Sequence, residues 1–182
     1  NNVAICMAGD FDPETVMATI DRYFGAWRPS RKVTYPEFAP VRTLTAPTDT
    51  TVVGKEAEQV MLGWKMDGAA SLQNDTLNVI TYMLNNGTAG LLDLDVNQPM
   101  LCLGAGAGCI DMRDYSQFVM VGQPNEGQTL EAVKDILLAE INKLKRGDFS
   151  EKLLSSVKNN LKLNFLRSLD SNSSRANAFV QT

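Results

Sequence analysis

Apolar residues recur at intervals of three and four in several stretches of the chain, and this spacing predicts amphipathic helices. The first predicted helix begins behind Asp12, which suits an N-cap, and Pro13, which fits the first helical position; it stops near Gly25. A second helix leads into the polar run 85–87, which ends it. The apolar positions of these two helices are Val16, Met17, Ile20, Tyr23, Phe24 and Trp27, and then Leu72, Leu77, Val79, Ile80, Met83 and Leu84.

The last third of the chain is predicted to be helical. One helix carries an apolar stripe and ends at Gly147, Ser150 caps the next, and a third begins near 171–174. The two stripes are Leu130, Val133, Ile136, Leu137, Ile141 and Leu144, and then Leu153, Leu154, Val157, Leu161, Phe165 and Leu169.

Short apolar or alternating runs predict strands at residues 3–8, 50–55, 59–66, 101–111 and 117–121. A charged tetrapeptide separates the second run from the third, which predicts a hairpin. Strands thus come in pairs beside blocks of helices. The order predicts an α+β fold of two layers, with a largely antiparallel or mixed sheet of about five strands covered on one face by helices.

Residues 28–50 differ from the rest of the chain. Proline cannot continue a long helix or sit in a central strand, so this segment is predicted to be an extended surface crossover. A short helix is expected at 90–96, where Pro99 bounds it. Four prolines fall within 28–50, namely Pro29, Pro36, Pro40 and Pro47.

Alternating glycines mark the predicted strand 101–111. Gly104, Gly106 and Gly108 share one face of a strand, because side chains alternate with a period of two. A dinucleotide site would need G-x-G-x-x-G between a strand and a helix, and here a strand follows. We interpret the glycines as a face that lets a helix or another backbone come close. A small-ligand binding module using this strand is the alternative.

Composition limits the chemistry that the chain can perform. The 182 residues are 44% hydrophobic and 21% charged, which is typical of one globular domain spanning residues 1–182. The histidine count is 0, so a Ser-His or Cys-His couple and a histidine zinc ligand are excluded. The net charge of −4 does not favour nucleic acid or an anionic membrane as a partner. The sequence also lacks an apolar run long enough to span a bilayer.

The remaining reactive side chains do not form a recognisable site. Glu56 with Glu58, and Asp93 with Asp95, are close in sequence but lack the spacing of a calcium loop, so we interpret them as solvated charges. Three cysteines are too few and too widely spaced for a disulfide framework. We predict that they are buried thiols, and the sequence does not decide whether any two of them pair. They are Cys6, Cys102 and Cys109. We therefore assign no catalytic, cofactor-binding or metal-ligating residue.

The abrupt, apolar ends lead us to expect a piece of a longer chain.

Several segments, in this order, resemble the insulinase/pitrilysin-type zinc metallopeptidase family, the inverzincins. The resemblance covers nearly the whole chain and is closest to the repeated second domain of that family, which lacks the zinc motif. The proline-rich crossover fits as well. The segments are Asn1-Asn2-Val3 leading into Gly9-Asp10-Phe11-Asp12-Pro13, the helix ending Tyr23-Phe24-Gly25, Glu58-Gln59-Val60-Met61-Leu62-Gly63-Trp64, Leu84-Asn85-Asn86-Gly87, and Leu144-Lys145-Arg146-Gly147-Asp148-Phe149.

The resemblance implies the fold of the mitochondrial processing peptidase domains and a zinc site elsewhere. In the family, the active domain carries H-x-x-E-H, and none of its roles can fall on a chain without histidine. Some copies of the non-zinc domain carry an Arg and a Tyr that bind the substrate carbonyl. The corresponding stretches here, 90–97 and 101–103, contain neither. The resemblance therefore implies the supporting copy of the domain.

The resemblance also implies a function for the chain. The chain would be a non-catalytic structural domain that supports a neighbouring zinc domain of the same parent chain and walls a chamber enclosing the peptide substrate. The isolated domain would be able to form a homodimer through its exposed apolar surface. A scaffold or core subunit derived from a peptidase, without proteolytic activity, is the alternative. The sequence assigns no compartment; for the parent we expect a periplasmic or otherwise extracytoplasmic bacterial setting.

Overall fold

The computed structural model describes residues 3–29, 34, 36–42 and 44–180. The chain divides into two compact units, a first unit drawn from Asn1–Arg42 and Lys162–Thr182 and a second unit formed by Thr43–Leu161. None of the helices in the described ranges is long and apolar enough to cross a bilayer. In chain order the elements are α1 (Pro13–Phe24), β1 (Val60–Asp67), α2 (Leu72–Leu84), a π-helical turn (Asp93–Asn97), β2 (Gly104–Ile110), β3 (Tyr115–Gln123), α3 (Leu130–Arg146), α4 (Glu151–Ser168) and α5 (Asn172–Ala178).

The helices begin and end at the residues that local chemistry predicts. The Asp12 carboxylate accepts a hydrogen bond of 2.8 Å from the Thr15 N–H, which caps α1 in front of Pro13. Gly147 ends α3 in the left-handed conformation, with φ of 69°. Ser171 caps α5 as predicted. These features depend on contacts over three or four residues, so a local pattern is enough to specify them.

The second unit is built on a three-stranded antiparallel sheet with the order β1-β3-β2. Helices α2 and α3 cover one face of it, and the core lies between. On the covered face Trp64 of β1 lies opposite Phe118 of β3, with ring centroids 5.5 Å apart. The buried apolar residues of this core are Leu77, Leu84, Leu91, Leu92, Val96, Cys102, Phe118, Met120, Val133 and Leu137.

The α+β class and the antiparallel sheet are confirmed, but the expected number of strands is wrong. The described part of the chain forms three strands, and residues 3–8 and 50–55 are not among them. The predicted hairpin does not form: β1 pairs with the distant β3, residues 50–55 join no strand, and the side chains of Val52 and Val53 are 86% and 94% exposed. An apolar run supplies a strand only when a partner completes its hydrogen bonds.

Two smaller expectations are also corrected, and one holds. Leu72, expected on the packed face of α2, is the first residue of that helix and is 85% exposed. The short helix expected at 90–96 is present, but its second half is a π-helix. The described residues of 28–50 contain neither helix nor strand, in agreement with the proline content; residues 30–33, 35 and 43 lie outside the described residues.

Candidate functional surface

The face of the sheet opposite the helices is lined by glycine. Gly63 on β1 and Gly108 on β2 both lie beside Val119 of the central strand β3, which places them in one row across the sheet. A Cβ atom added to Gly63, Gly106 or Gly108 would meet no atom within 4 Å. In the described residues, therefore, neither a helix nor another backbone approaches this face, and that part of the sequence prediction is wrong.

The close approach of a helix depends on another glycine. A Cβ atom on Gly122 of β3 would lie 2.5 Å from Cγ1 of Val133 and 3.2 Å from Cδ1 of Leu137. Gly122 faces the helices, and its missing side chain lets α3 pack directly on the central strand. Gly122 is a single glycine in its strand, so no repeating pattern in the sequence marks it as the point where a helix packs closely.

A shallow recess of about 250 Å³ on the open face is lined by Gly63, Trp64, Lys65 and Gln117. The Lys65 ammonium lies 5.9 Å from the centre of the Tyr115 ring, within the range of a cation–π contact. The open face also carries exposed apolar side chains: Met61 is 61% exposed and Ile110 is 52% exposed. A surface that combines backbone and apolar groups with Lys65 and Gln117 can contact a peptide.

The stretch in which some copies of the family carry substrate-binding residues serves internal contacts here. Asp93 accepts hydrogen bonds of 3.0 Å from the backbone N–H groups of both Asn86 and Gly90. Asn97 binds the backbone of Ala105. The π-helical turn thus directs its polar side chains at its own unit.

A partly buried charge cluster, in which only Glu140 is fully buried, links this turn to α3. Lys143 Nζ lies 2.7 Å from Oε1 of Glu140 and 2.9 Å from Oδ2 of Asp95. Burial raises the pKa of the Glu140 carboxyl, and the contact with Glu140 raises the pKa of Lys143. Glu140 occupies the apolar stripe of α3, three residues after Leu137, so its burial could have been read from the helical period. Two carboxylates already bridged by an ammonium group do not make a cation site.

The cysteines and the remaining carboxylates do not converge. All three cysteines are free thiols, of which Cys102 is buried and Cys6 and Cys109 are half-buried. Burial, and the Asp111 carboxylate 3.1 Å from the sulfur, raise the pKa of Cys109 to about 11.

The two carboxylate pairs differ from each other. Glu56 and Glu58 are exposed, so the prediction that they are solvated charges is right. Asp93 and Asp95 hold internal contacts, so the same prediction is wrong for them.

The described residues do not offer a site for a zinc ion. The sequence contains no histidine, and the described residues contain no group of three Cys, Asp or Glu side chains arranged to hold a metal. Zinc bound by a protein needs three or four such ligands. We therefore derive no step of chemistry through a metal held by these residues.

The second unit is thus an α+β structure in which helices cover one face of the sheet and the other face is open. Over residues 1–161 the chain matches the family described as the Peptidase M16 inactive domain, and it belongs to that family. The resemblance to insulinase-type metallopeptidases is thereby confirmed, as is the expectation of a non-catalytic domain.

Two relatives from Helicobacter pylori extend this comparison. One, named zinc protease PqqE, is 24% identical over 187 residues, which cover 98% of this chain and 41% of that protein. The other is a protease of known crystal structure with a TM-score of 0.74 and 22% identity; the match covers 96% of this chain and 43% of the other. This chain therefore spans about two fifths of the length of the relatives that it matches.

Proposed function

We propose that residues 1–182 form one supporting domain of an insulinase-type zinc metallopeptidase. In this role the domain packs against a neighbouring zinc domain of the same parent chain. Its open sheet face forms part of the wall of a chamber that encloses the peptide substrate. The neighbouring domain binds the zinc ion, and this chain has a structural role.

The observation that carries the proposal is the difference between the two faces of the sheet: helices cover one face, and the other is open. The covered face holds the apolar core. The open face presents Gly63, Gly106 and Gly108 with free space above them. Such a face is shallow and leaves room for an extended peptide along the strands, with Lys65 as a charged side chain beside it; this suits a wall better than an enclosed binding pocket.

The lengths of the relatives support a larger parent. A relative bearing the name zinc protease is more than twice as long as the segment that this chain matches, which leaves room for a domain with a metal site. A domain of ordinary size has about 100–200 residues.

Three measurements test this proposal, namely the zinc content by mass spectrometry, cleavage of a fluorogenic peptide, and complementation between this chain and the rest of the parent. We expect this chain alone to hold no stoichiometric zinc and to cleave nothing, and we expect cleavage when both parts are combined. Zinc-dependent turnover by this chain alone would refute the proposal. A parent without zinc and without cleavage would favour the scaffold alternative, and heat on titration with millimolar nucleotide would favour the ligand-binding module.

Exposed apolar groups on α1 support the further proposal that the isolated domain forms a homodimer. Helix α1 buries none of its residues; Tyr23 on the helix is 66% exposed, and Trp27, three residues after the helix ends, is 62% exposed. Large exposed apolar groups mark contact surfaces in proteins. Sedimentation velocity over a range of concentrations tests this, and a monomer at every concentration would contradict it.

A further inference from the structure

The outer edge of β2 is occupied by two side-chain amides. The Asn97 amide binds both backbone groups of Ala105: its Oδ1 accepts from the Ala105 N–H at 2.8 Å, and its Nδ2 donates to the Ala105 carbonyl at 3.0 Å. Asn85, directly after α2, donates through Nδ2 to the Ala107 carbonyl at 2.7 Å. All three bonds are of ordinary or short length.

These backbone groups point away from the rest of the sheet. Successive residues of an antiparallel strand direct their N–H and C=O groups to opposite edges. One edge of β2 is paired with β3, so the groups of Ala105 that bind Asn97 lie on the other edge, and Ala107 repeats that direction two residues on. In the described part of the chain, β2 is an end strand of the sheet. The two amides therefore occupy the positions that an added strand would take.

An end strand of this composition needs such protection. Unpaired strand edges attract further strands, and glycine-rich strands fix their register weakly because they have few side chains to clash. Residues 104–108 alternate glycine and alanine and read the same in both directions. Two copies of this strand can consequently pair antiparallel, with glycine beside glycine, without a steric penalty. The open space above Gly106 and Gly108 removes a further obstacle.

We propose that Asn85 and Asn97 are edge guards, which close β2 to the addition of another strand, and that the strand they exclude is β2 of a second copy of this chain. A carboxamide carries the same donor and acceptor as a peptide group, so Asn97 satisfies Ala105 as a neighbouring strand would. The covered edge leaves the open face of the sheet accessible and keeps molecules from joining through β2. This inference is independent of the proposed peptidase role.

The test is the double variant N85A/N97A, with N159A as the matched control, since Asn159 is exposed on α4. Sedimentation velocity at equal concentrations measures self-association relative to the unmodified chain. We expect the double variant to raise the association constant by about tenfold or more, as regained backbone hydrogen bonds would. The control should sediment like the unmodified chain. An unchanged association constant in the double variant would overturn the proposal.

A third substitution separates strand addition from simple unfolding. Proline lacks the N–H group and is tolerated where that group faces an open edge, so adding A107P to the double variant should block the edge again. We expect the triple variant to return to the association constant of the unmodified chain. Hydrogen exchange should meanwhile show the amides of β3 still protected. Association that persists in the triple variant would show that it does not run through β2, and the proposal would be wrong.

Discussion

Gly122 on the central strand lies directly beneath Val133 on α3, so close that a Cβ atom at Gly122 would stand 2.5 Å from Cγ1 of Val133. Both residues are buried, and Val133 is 0% exposed. The distance between sheet and helix in the second unit is therefore set by the absence of one side chain. A side chain added at this contact forces Val133 and Leu137, or the helix that carries them, to move.

The first prediction concerns that contact. G122A forces Val133 and Leu137 to shift, and overpacking of this kind costs about 1–3 kcal/mol of the free energy of unfolding. The control is G106A, because a Cβ atom at Gly106 meets no atom within 4 Å; its effect should stay within about 0.5 kcal/mol. Urea denaturation followed by circular dichroism measures both. Equal effects of the two substitutions would contradict the role given to Gly122.

The second prediction concerns the ammonium group between Glu140 and Asp95. K143M leaves the buried Glu140 carboxylate without its partner at 2.7 Å. We expect a loss of about 1–3 kcal/mol in the free energy of unfolding, the usual cost of an unsatisfied buried polar group. K145M removes an exposed lysine of the same helix and should be nearly neutral. If K145M destabilised the protein as much as K143M does, the loss would reflect general charge on α3.

The third prediction is a pH dependence from Glu140. Burial raises the pKa of this carboxyl in the folded state above its ordinary value of 4.5. A raised pKa contributes stability that is fully present below pH 4.5 and is lost as the pH rises through the folded pKa. The free energy of unfolding of the unmodified chain, compared with that of E140Q, should therefore fall as the pH rises from below 4.5 toward neutrality. A difference between the two proteins that stays constant with pH would show that Glu140 does not titrate in this way.

The fourth prediction concerns thiol reactivity. The pKa of Cys109 is about 11, so its thiolate is scarce at neutral pH and alkylation by iodoacetamide should be slow. The rate should rise about tenfold per pH unit up to that pKa, since only the thiolate reacts. D111N removes the carboxylate beside the sulfur and should lower the pKa of Cys109 and speed alkylation at pH 8, while burial keeps it slower than a free thiol. Mass spectrometry of the Cys109 peptide gives the rates, and a D111N rate equal to that of the unmodified chain would contradict the contribution of Asp111.

Sequence reasoning located part of the architecture and missed specific contacts. The strands containing Trp64 and Phe118 were expected, but not that they pair with each other, because the hydrophobic pattern marks a strand without naming its partner. The sequence places Asn85 in the polar run that ends a helix and Asn97 in the stretch 90–97, and neither position indicates that the amide binds β2. No local signal shows that Asn85 will reach Ala107, which lies 22 residues away in the chain.

The sequence by itself determined the ends of the helices, the absence of histidine chemistry and the resemblance that led to the family. Each of these is a property of neighbouring residues, of composition or of segments in order, and none requires knowledge of what lies across the core. Tertiary structure alone decided the pairing of the strands, which glycine admits a helix, and the bridge from Lys143 to Asp95 across 48 positions of the chain. Such contacts join distant segments, so they depend on how the whole unit packs, whereas a helix cap is satisfied within three or four residues.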